Sequence, residues 1–243
     1  MPQYRALSFD VGYTLIGPVA EAKEVVAGFL ASRGLHPTAA EVATAYVRAE
    51  ELYQRHYHQP LNDTWSSDQG IHTFFTEYYG QLLGELGLPD PDGIHAAAII
   101  EHYLEPTNWH LYPGVHPTLI ELRRRGFRIG VASDWGTGLW RILQTLGLTQ
   151  LFDWTVVSGG IGFAKPSAAF YGLVVKRAGV PAHTILHVGD TYRADILGAR
   201  TVGMDGVLID WQGRSWPRLD VPVLASLSEL LDLVGVPLPV GTS

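Results

Sequence analysis

Five short apolar runs, each closing on a small or acidic residue, set the strongest limit on how this chain can fold. They are YRALSFD (4–10), FRIGVASD (127–134), WTVVSGG (154–160), ILHVGD (185–190) and GVLID (206–210). Their length and their Val, Ile and Leu content suit strands buried on both faces. Between the later runs lie TGLWRILQTLGL (137–148) and AAFYGLVVKRAGV (168–180), with apolar residues at the three- and four-residue spacing of helices. Strand and helix in alternation predict an α/β fold, a doubly wound parallel sheet with right-handed crossovers.

The first two strands are separated by far more chain than one crossover needs. TAAE (38–41) has the form of a capping box, with Thr38 as cap and Glu41 answering it, and an unbroken helical stretch follows. The run 68–87 closes on Gly87 ahead of Pro89, a helix-ending pattern. DGIHAAAIIEHYLE (92–105) reads as another helix, and YPGV (112–115) as the turn back to the α/β pattern. Residues 17–110 are therefore expected to form an all-helical insertion, and residues 1–16 and 111–243 the core. Ser226 and Glu229 repeat the capping form before a last helix. The tail beyond it is expected to be loose.

Composition narrows the function classes. With no cysteine, disulfides, thiolate catalysis and cysteine-type zinc sites are excluded. A net charge of −7 argues against nucleic-acid binding, since the one basic run, Arg123 to Arg125, falls where cations favour a helix terminus. It is read as a solvated helix end. No segment approaches the roughly 18 apolar residues of a membrane span, and no signal peptide is visible. A cytoplasmic protein, monomer or homodimer, acting on a small molecule is the expectation.

Four features fall at the carboxyl ends of the predicted strands, the edge where open α/β sheets place their sites. They are Asp10, Ser133, Lys165, and the pair Asp190 and Asp195. Around a phosphoryl group each type has work to do. Asp10 can attack phosphorus as a carboxylate nucleophile. Ser133 can donate a hydrogen bond to a phosphoryl oxygen, and the Lys165 ammonium can neutralise charge. Asp10 and Asp190, with a backbone carbonyl, phosphate oxygens and water, would supply the hard oxygen shell that magnesium prefers. Asp195 would join it directly or through water.

This order of motifs resembles the haloacid dehalogenase superfamily over the whole chain, in FDVGYTL, VASD, KP and GDTYRAD. YPGV followed by LIELRRRG also resembles the return from a cap inserted after the first motif. The resemblance implies a Rossmann-like core under a helical cap, with Asp10 as nucleophile and Lys165 beside it. It implies phosphate binding by Ser133, Asp134, Lys165 and Thr14. The magnesium shell would comprise Asp10, the Gly12 backbone carbonyl, Asp190 and Asp195.

Phosphatases of this superfamily carry a second aspartate two residues after the nucleophile, where this chain has Gly12. Loss of a general acid–base typically costs about a hundred- to ten-thousandfold in rate. Tyr13 likewise replaces a usual glycine. Three readings stay open: a magnesium-dependent phosphatase with another proton donor or a good leaving group, a dehalogenase-like hydrolase attacking carbon, and a weakly catalytic phosphate binder. The pair Asp190 and Asp195 favours metal and phosphate over carbon attack. His56 and His58, two apart, make a poor metal pair. Tyr53, Tyr57, Phe74, Phe75, Tyr78 and Tyr79 are read as packing residues, while Asn62 and Trp65 sit in a polar break between helices.

Overall fold

The computed structural model describes residues 4–58, 63–216 and 218–235. Asn62 and the tail beyond Gly235 lie outside the described residues, as do the side chains of Tyr57 and His58. All five apolar runs are strands of one parallel sheet. They are β1 (Ala6–Phe9), then, beyond a short β2 (Ile16–Pro18) and β3 (Trp109–Leu111), β4 (Arg128–Ser133), β5 (Trp154–Val157), β6 (Ile185–Gly189) and β7 (Asp205–Ile209). A two-residue β8 (Val223–Leu224) adds an edge, and the spatial order is β5-β4-β1-β6-β7-β8. The central β1 and β6 are buried at every position, so their sequences do not alternate apolar with polar, and the polar residue within each, Ser8 and His187, is paired with the other.

Both faces of the sheet are covered. α5 (Val115–Arg124) buries Val115, Leu119 and Leu122, one stripe of a helix, in the same apolar cluster as Leu7, Phe9, Ile129 and Val131. On the opposite face α7 (Ala168–Ala178) buries Phe170, Tyr171 and Val174 with Val156 and Ile185. The basic run at the end of α5 is less solvated than its sequence implies. Arg125 Nη1 donates to the Leu231 and Gly235 carbonyls at 2.6 and 3.0 Å, the terminal carbonyls of α9 (Leu230–Val234).

Between β2 and β3 run α1 (Ala22–Ala31), α2 (Ala39–His58), α3 (Asp68–Glu85) and α4 (Ile94–Leu104). The capping box forms as read, with the Thr38 N–H on Glu41 Oε2 at 2.6 Å and the Glu41 N–H on Thr38 Oγ1 at 3.3 Å. Tyr78, Tyr79, Phe74, Trp65, Leu82 and Ile99 share a second apolar cluster of these helices. What the sequence did not show is that β2 and β3 pair antiparallel, Ile16 against Leu111 and Pro18 against Trp109. The chain thus leaves and re-enters the α/β unit through a two-stranded ribbon.

Leu119→Ala should lower the unfolding free energy by about 2–5 kcal/mol, the cost of lost burial plus a residual cavity. Arg124→Ala, where the side chain is 73% exposed, should change it by less than about 0.5 kcal/mol. Urea denaturation of both variants checks the contrast.

Candidate active site

Sheet register brings the sequence-distant acids together. Phe9 pairs with Val131 on one side and Val188 on the other, so Asp10 emerges between Ser133, two residues past Val131, and Asp190, two residues past Val188. The Asp10 N–H is held by the Val188 carbonyl at 2.9 Å. Lys165, on the loop between β5 and α7, reaches in from the side. Its Nζ donates to Asp10 Oδ1 and to Asp195 Oδ1, both at 2.7 Å, and all three side chains are nearly sealed from solvent.

Asp195 sits on a π-helical turn, Tyr192–Leu197, that follows β6. Its Oδ2 accepts the Thr191 N–H at 2.9 Å, and His187 Nε2 meets Oδ1 at 3.1 Å. Gly189 makes this approach feasible, because a Cβ there would stand 2.2 Å from Asp195 Cγ. Burial works against the Asp195 anion, yet the Lys165 ammonium and the His187 N–H outweigh it and hold the carboxyl below its usual range. Burial likewise opposes charge on Lys165, and the flanking carboxylates overcome it, pushing the ammonium's pKa well up. Asp10 shares that ammonium, and among the described residues its other oxygen has a long contact from Thr14 Oγ1, 3.4 Å. Burial pushes Asp10 upward, with Lys165 opposing.

Asp190 is less well supported among the described residues. Its Oδ1 has a 3.4 Å contact from Thr191 Oγ1, and burial together with the charges of Asp195 and Asp10 pushes its carboxyl up to about 8, with Arg214 and Lys165 opposing. Three aspartates thus crowd near an ammonium that bonds Asp10 and Asp195, and a bound cation would favour their charged forms. Among the described residues no three acidic or histidine side chains converge as a ready-made metal cage. Magnesium needs none, since it is commonly held by one or two carboxylates with waters and substrate oxygens. Asp10, Asp190 and the Gly12 carbonyl fit that donor chemistry. Both Asp195 oxygens already accept hydrogen bonds, two at Oδ1 and one at Oδ2, so Oδ2 keeps a lone pair for a direct or water-mediated contact.

The family follows from a match to haloacid dehalogenase-like hydrolases over residues 4–203. The chain belongs to that family. The hydrolase is 30% identical over 248 residues to haloacid dehalogenase-like hydrolase domain-containing protein 3 of Mus musculus, covering 94% of this chain and 93% of the relative. It is 35% identical over 139 residues to glyceraldehyde 3-phosphate phosphatase of Methanopyrus kandleri, 54% of this chain and 58% of that one. Its fold matches the HAD-hydrolase YfnB of Bacillus subtilis, solved bound to magnesium, with a TM-score of 0.76 at 19% identity, covering 96% and 100% of the two chains. The L-2-haloacid dehalogenase RSc1362 matches at 0.72 and 22% identity, covering 96% and 99%.

The loop after Asp10 explains its own departures from the family pattern. The left-handed residue is Tyr13, at φ 55°, and not Gly12, so strain falls where a bulky side chain sits. What bars a side chain at position 12 is space: a Cβ there would lie 2.8 Å from Cζ3 of Trp135. Trp135 is itself wedged against Trp109, ring centroids 4.8 Å apart, and its N–H bonds Ser158 Oγ at 3.1 Å.

Ser133 is buried at the last position of β4. Asp134 follows it, and its Oδ1 accepts the Lys165 backbone N–H at 3.0 Å. Its Oδ2 is sealed from solvent and meets no hydrogen-bonding group among the described residues. Burial, opposed in part by Lys165, pushes the carboxyl up to about 7.

Sequence reasoning missed several of these groups. His187 carries no motif signal inside an apolar strand, yet its Nδ1 meets Ser8 Oγ at 3.1 Å while Nε2 meets Asp195. Because Asp195 is ionised and can only accept, Nε2 carries the proton and Nδ1 accepts from the Ser8 hydroxyl. Asp68, which opens α3, binds the loop after β4 through Thr137 N and Thr137 Oγ1 at 2.7 and 2.6 Å. Arg214 Nη2 reaches the Asp190 carbonyl at 3.3 Å, and its Nε is braced by Asp210 at 3.1 Å.

The Asp134 environment makes a pH prediction. A carboxyl raised to about 7 in the folded state contributes stability as a neutral acid below the unfolded value of about 4, and loses it as pH rises towards 7. In chelator-treated protein, Asp134→Asn should therefore gain stability relative to the parent between those limits, with no further change above about pH 7.5. Urea midpoints across pH 4.5 to 8.5, roughly, report the trend; a pH-independent difference would contradict it.

Proposed function

We propose that this hydrolase is a magnesium-dependent phosphatase that acts on a small phosphorylated metabolite through an aspartyl-phosphate at Asp10. The observation that carries the reading is the buried Lys165 ammonium bridging Asp10 and Asp195 beside Asp190, whose carboxyl is raised by burial and by those two acids. Relatives named as glyceraldehyde 3-phosphate phosphatases support phosphate as the reacting group, without fixing the substrate.

In this reading Lys165 holds the attacking carboxylate in place, and Thr14 meets its other oxygen. Ser133 and Lys165 donate to the phosphoryl oxygens, with Asp134 beside them. Asp10, Asp190 and the Gly12 carbonyl would hold magnesium, which when bound offsets charge on nucleophile and phosphate. Asp195, oriented by His187 and Thr191, fixes Lys165. Residues 17–110 act as a cap over residues 1–16 and 111–243, entered through the β2–β3 ribbon, and exclude water from the bound substrate. The Asp68–Thr137 contact anchors the cap helix α3 beside the phosphate-binding loop.

Carbon attack is the weaker reading, because it has no use for a cation, whereas a cation held by Asp10 and Asp190 would relieve the repulsion from Asp195 and Asp10 that, with burial, raises the Asp190 carboxyl. A panel of phosphomonoesters, an acyl phosphate and an L-2-haloacid, run with magnesium and with chelator, separates the two. We expect phosphate release that needs magnesium and falls by at least about a thousandfold in Asp10→Asn, the loss of a covalent nucleophile. Halide release indifferent to chelator would overturn the proposal.

A further inference from the structure

Trp135 closes off the place where the family's second aspartate would project, so any proton for the leaving group must come from elsewhere. The groups near Asp10 can be sorted by what already holds them. Asp195 is tied as an anion by Lys165, His187 and the Thr191 N–H. Asp190 belongs to the proposed cation shell. The phenols of Tyr13 and of Tyr53, on α2, are pushed upward by burial, so neither becomes a base near neutrality. Thr14 is a hydroxyl already directed at Asp10.

Asp134 remains, and it has an atom to spare. Oδ1 accepts the Lys165 backbone N–H, so in the acid form the proton rests on Oδ2. That oxygen is enclosed and meets no partner among the described residues. A buried polar atom left unpaired is destabilising, and such an atom in a native protein calls for a reason. A substrate oxygen bound next to Ser133 supplies one.

We propose that Asp134 is the proton-transfer residue of this site, acting from the end of β4 in place of the missing acid at position 12. The proposal rests on the aspartyl-phosphate reading above. In the first step Asp10 forms a bond to phosphorus, the bond to the leaving oxygen breaks, and the Oδ2 proton passes to that oxygen, leaving an alcohol and an Asp134 carboxylate. In the second, water attacks phosphorus and gives its proton to Asp134 as the bond to Asp10 breaks. Inorganic phosphate departs, with both aspartates restored. A carboxyl pushed up to about 7 by burial suits both directions, since an efficient acid–base group titrates near the working pH. The charged and titratable groups that face it are Lys165, Asp10 and Asp195 from the core, Tyr171 from α7 and Tyr53 from α2.

The test is the leaving-group dependence of Asp134→Asn, which keeps the acceptor for the Lys165 N–H and removes only the proton. Substrates are glycerol phosphate as a poor leaving group, and 4-nitrophenyl phosphate and acetyl phosphate as good ones. We expect kcat/KM to fall about a hundred- to ten-thousandfold on glycerol phosphate and less than about tenfold on the other two. Because the second step also loses its base, 4-nitrophenyl phosphate should show a burst of nitrophenolate before slow turnover. Equal losses on all three substrates, or no loss on any, would overturn the proposal. So would a parent enzyme that hydrolyses the activated substrates and spares glycerol phosphate. A parent that releases phosphate from none of them removes the phosphatase reading itself, and this proposal with it. Thermal melting of the variant, with its retained response to magnesium alone, separates lost chemistry from lost folding.

Discussion

One ammonium group organises this site. Lys165 lies between Asp10 and Asp195 at 2.7 Å from each, out of reach of bulk water. A buried charge survives only when paired and hydrogen-bonded, and removing one partner of such a set is costly, on the order of 3–5 kcal/mol. The surrounding structure can be understood as support for that arrangement. β1 and β6 bring the two carboxylates alongside each other, and the loop after β5 carries the lysine across. His187 adds a second donor at Asp195 Oδ1, and the Thr191 N–H binds Oδ2. Gly189 keeps clear the space into which Asp195 packs.

The departures in the first loop also have physical causes. A small residue at position 12 and an indole from the loop after β4 are complementary, since a Cβ at position 12 would collide with the Trp135 ring. Position 13 bears a left-handed backbone that a bulky residue adopts at a cost of about 1–2 kcal/mol. Such strain is retained where the surroundings over-determine it, which at this loop means the hydrogen bonds of Tyr13, Leu15 and Ile16 back to Ile16 and Val11 carbonyls.

Much of the fold was legible because its signals are local or composed of long runs. The five strands announce themselves through continuous apolar stretches, as burial on both faces requires. Two capping boxes, at Thr38 and Ser226, are set by residues three apart. Asp10, Ser133 and Asp190 could be placed at strand ends by order alone, whereas Lys165, expected at one, lies on the loop well past β5. The rest depends on contacts between residues far apart in sequence, each too short to leave a pattern. β2 and β3 are three residues long apiece and lie on opposite sides of the helical insertion. His187 looks like any strand residue until Ser8 is set beside it. Arg125 reads as solvated until α9 presents its carbonyls, and the Asp68–Thr137 contact has no sequence signature at all.

The central claim is that the Asp10 carboxylate, held by Lys165, attacks phosphorus and not carbon. Multiple turnover in water enriched with heavy oxygen, followed by mass spectrometry of the Asp10 peptide and of the released phosphate, tests it most directly. Attack of water on an aspartyl-phosphate at phosphorus predicts label in the phosphate and an unlabelled Asp10. Heavy oxygen accumulating in the Asp10 carboxylate would contradict the account, because water would then be opening a carbon ester at that side chain.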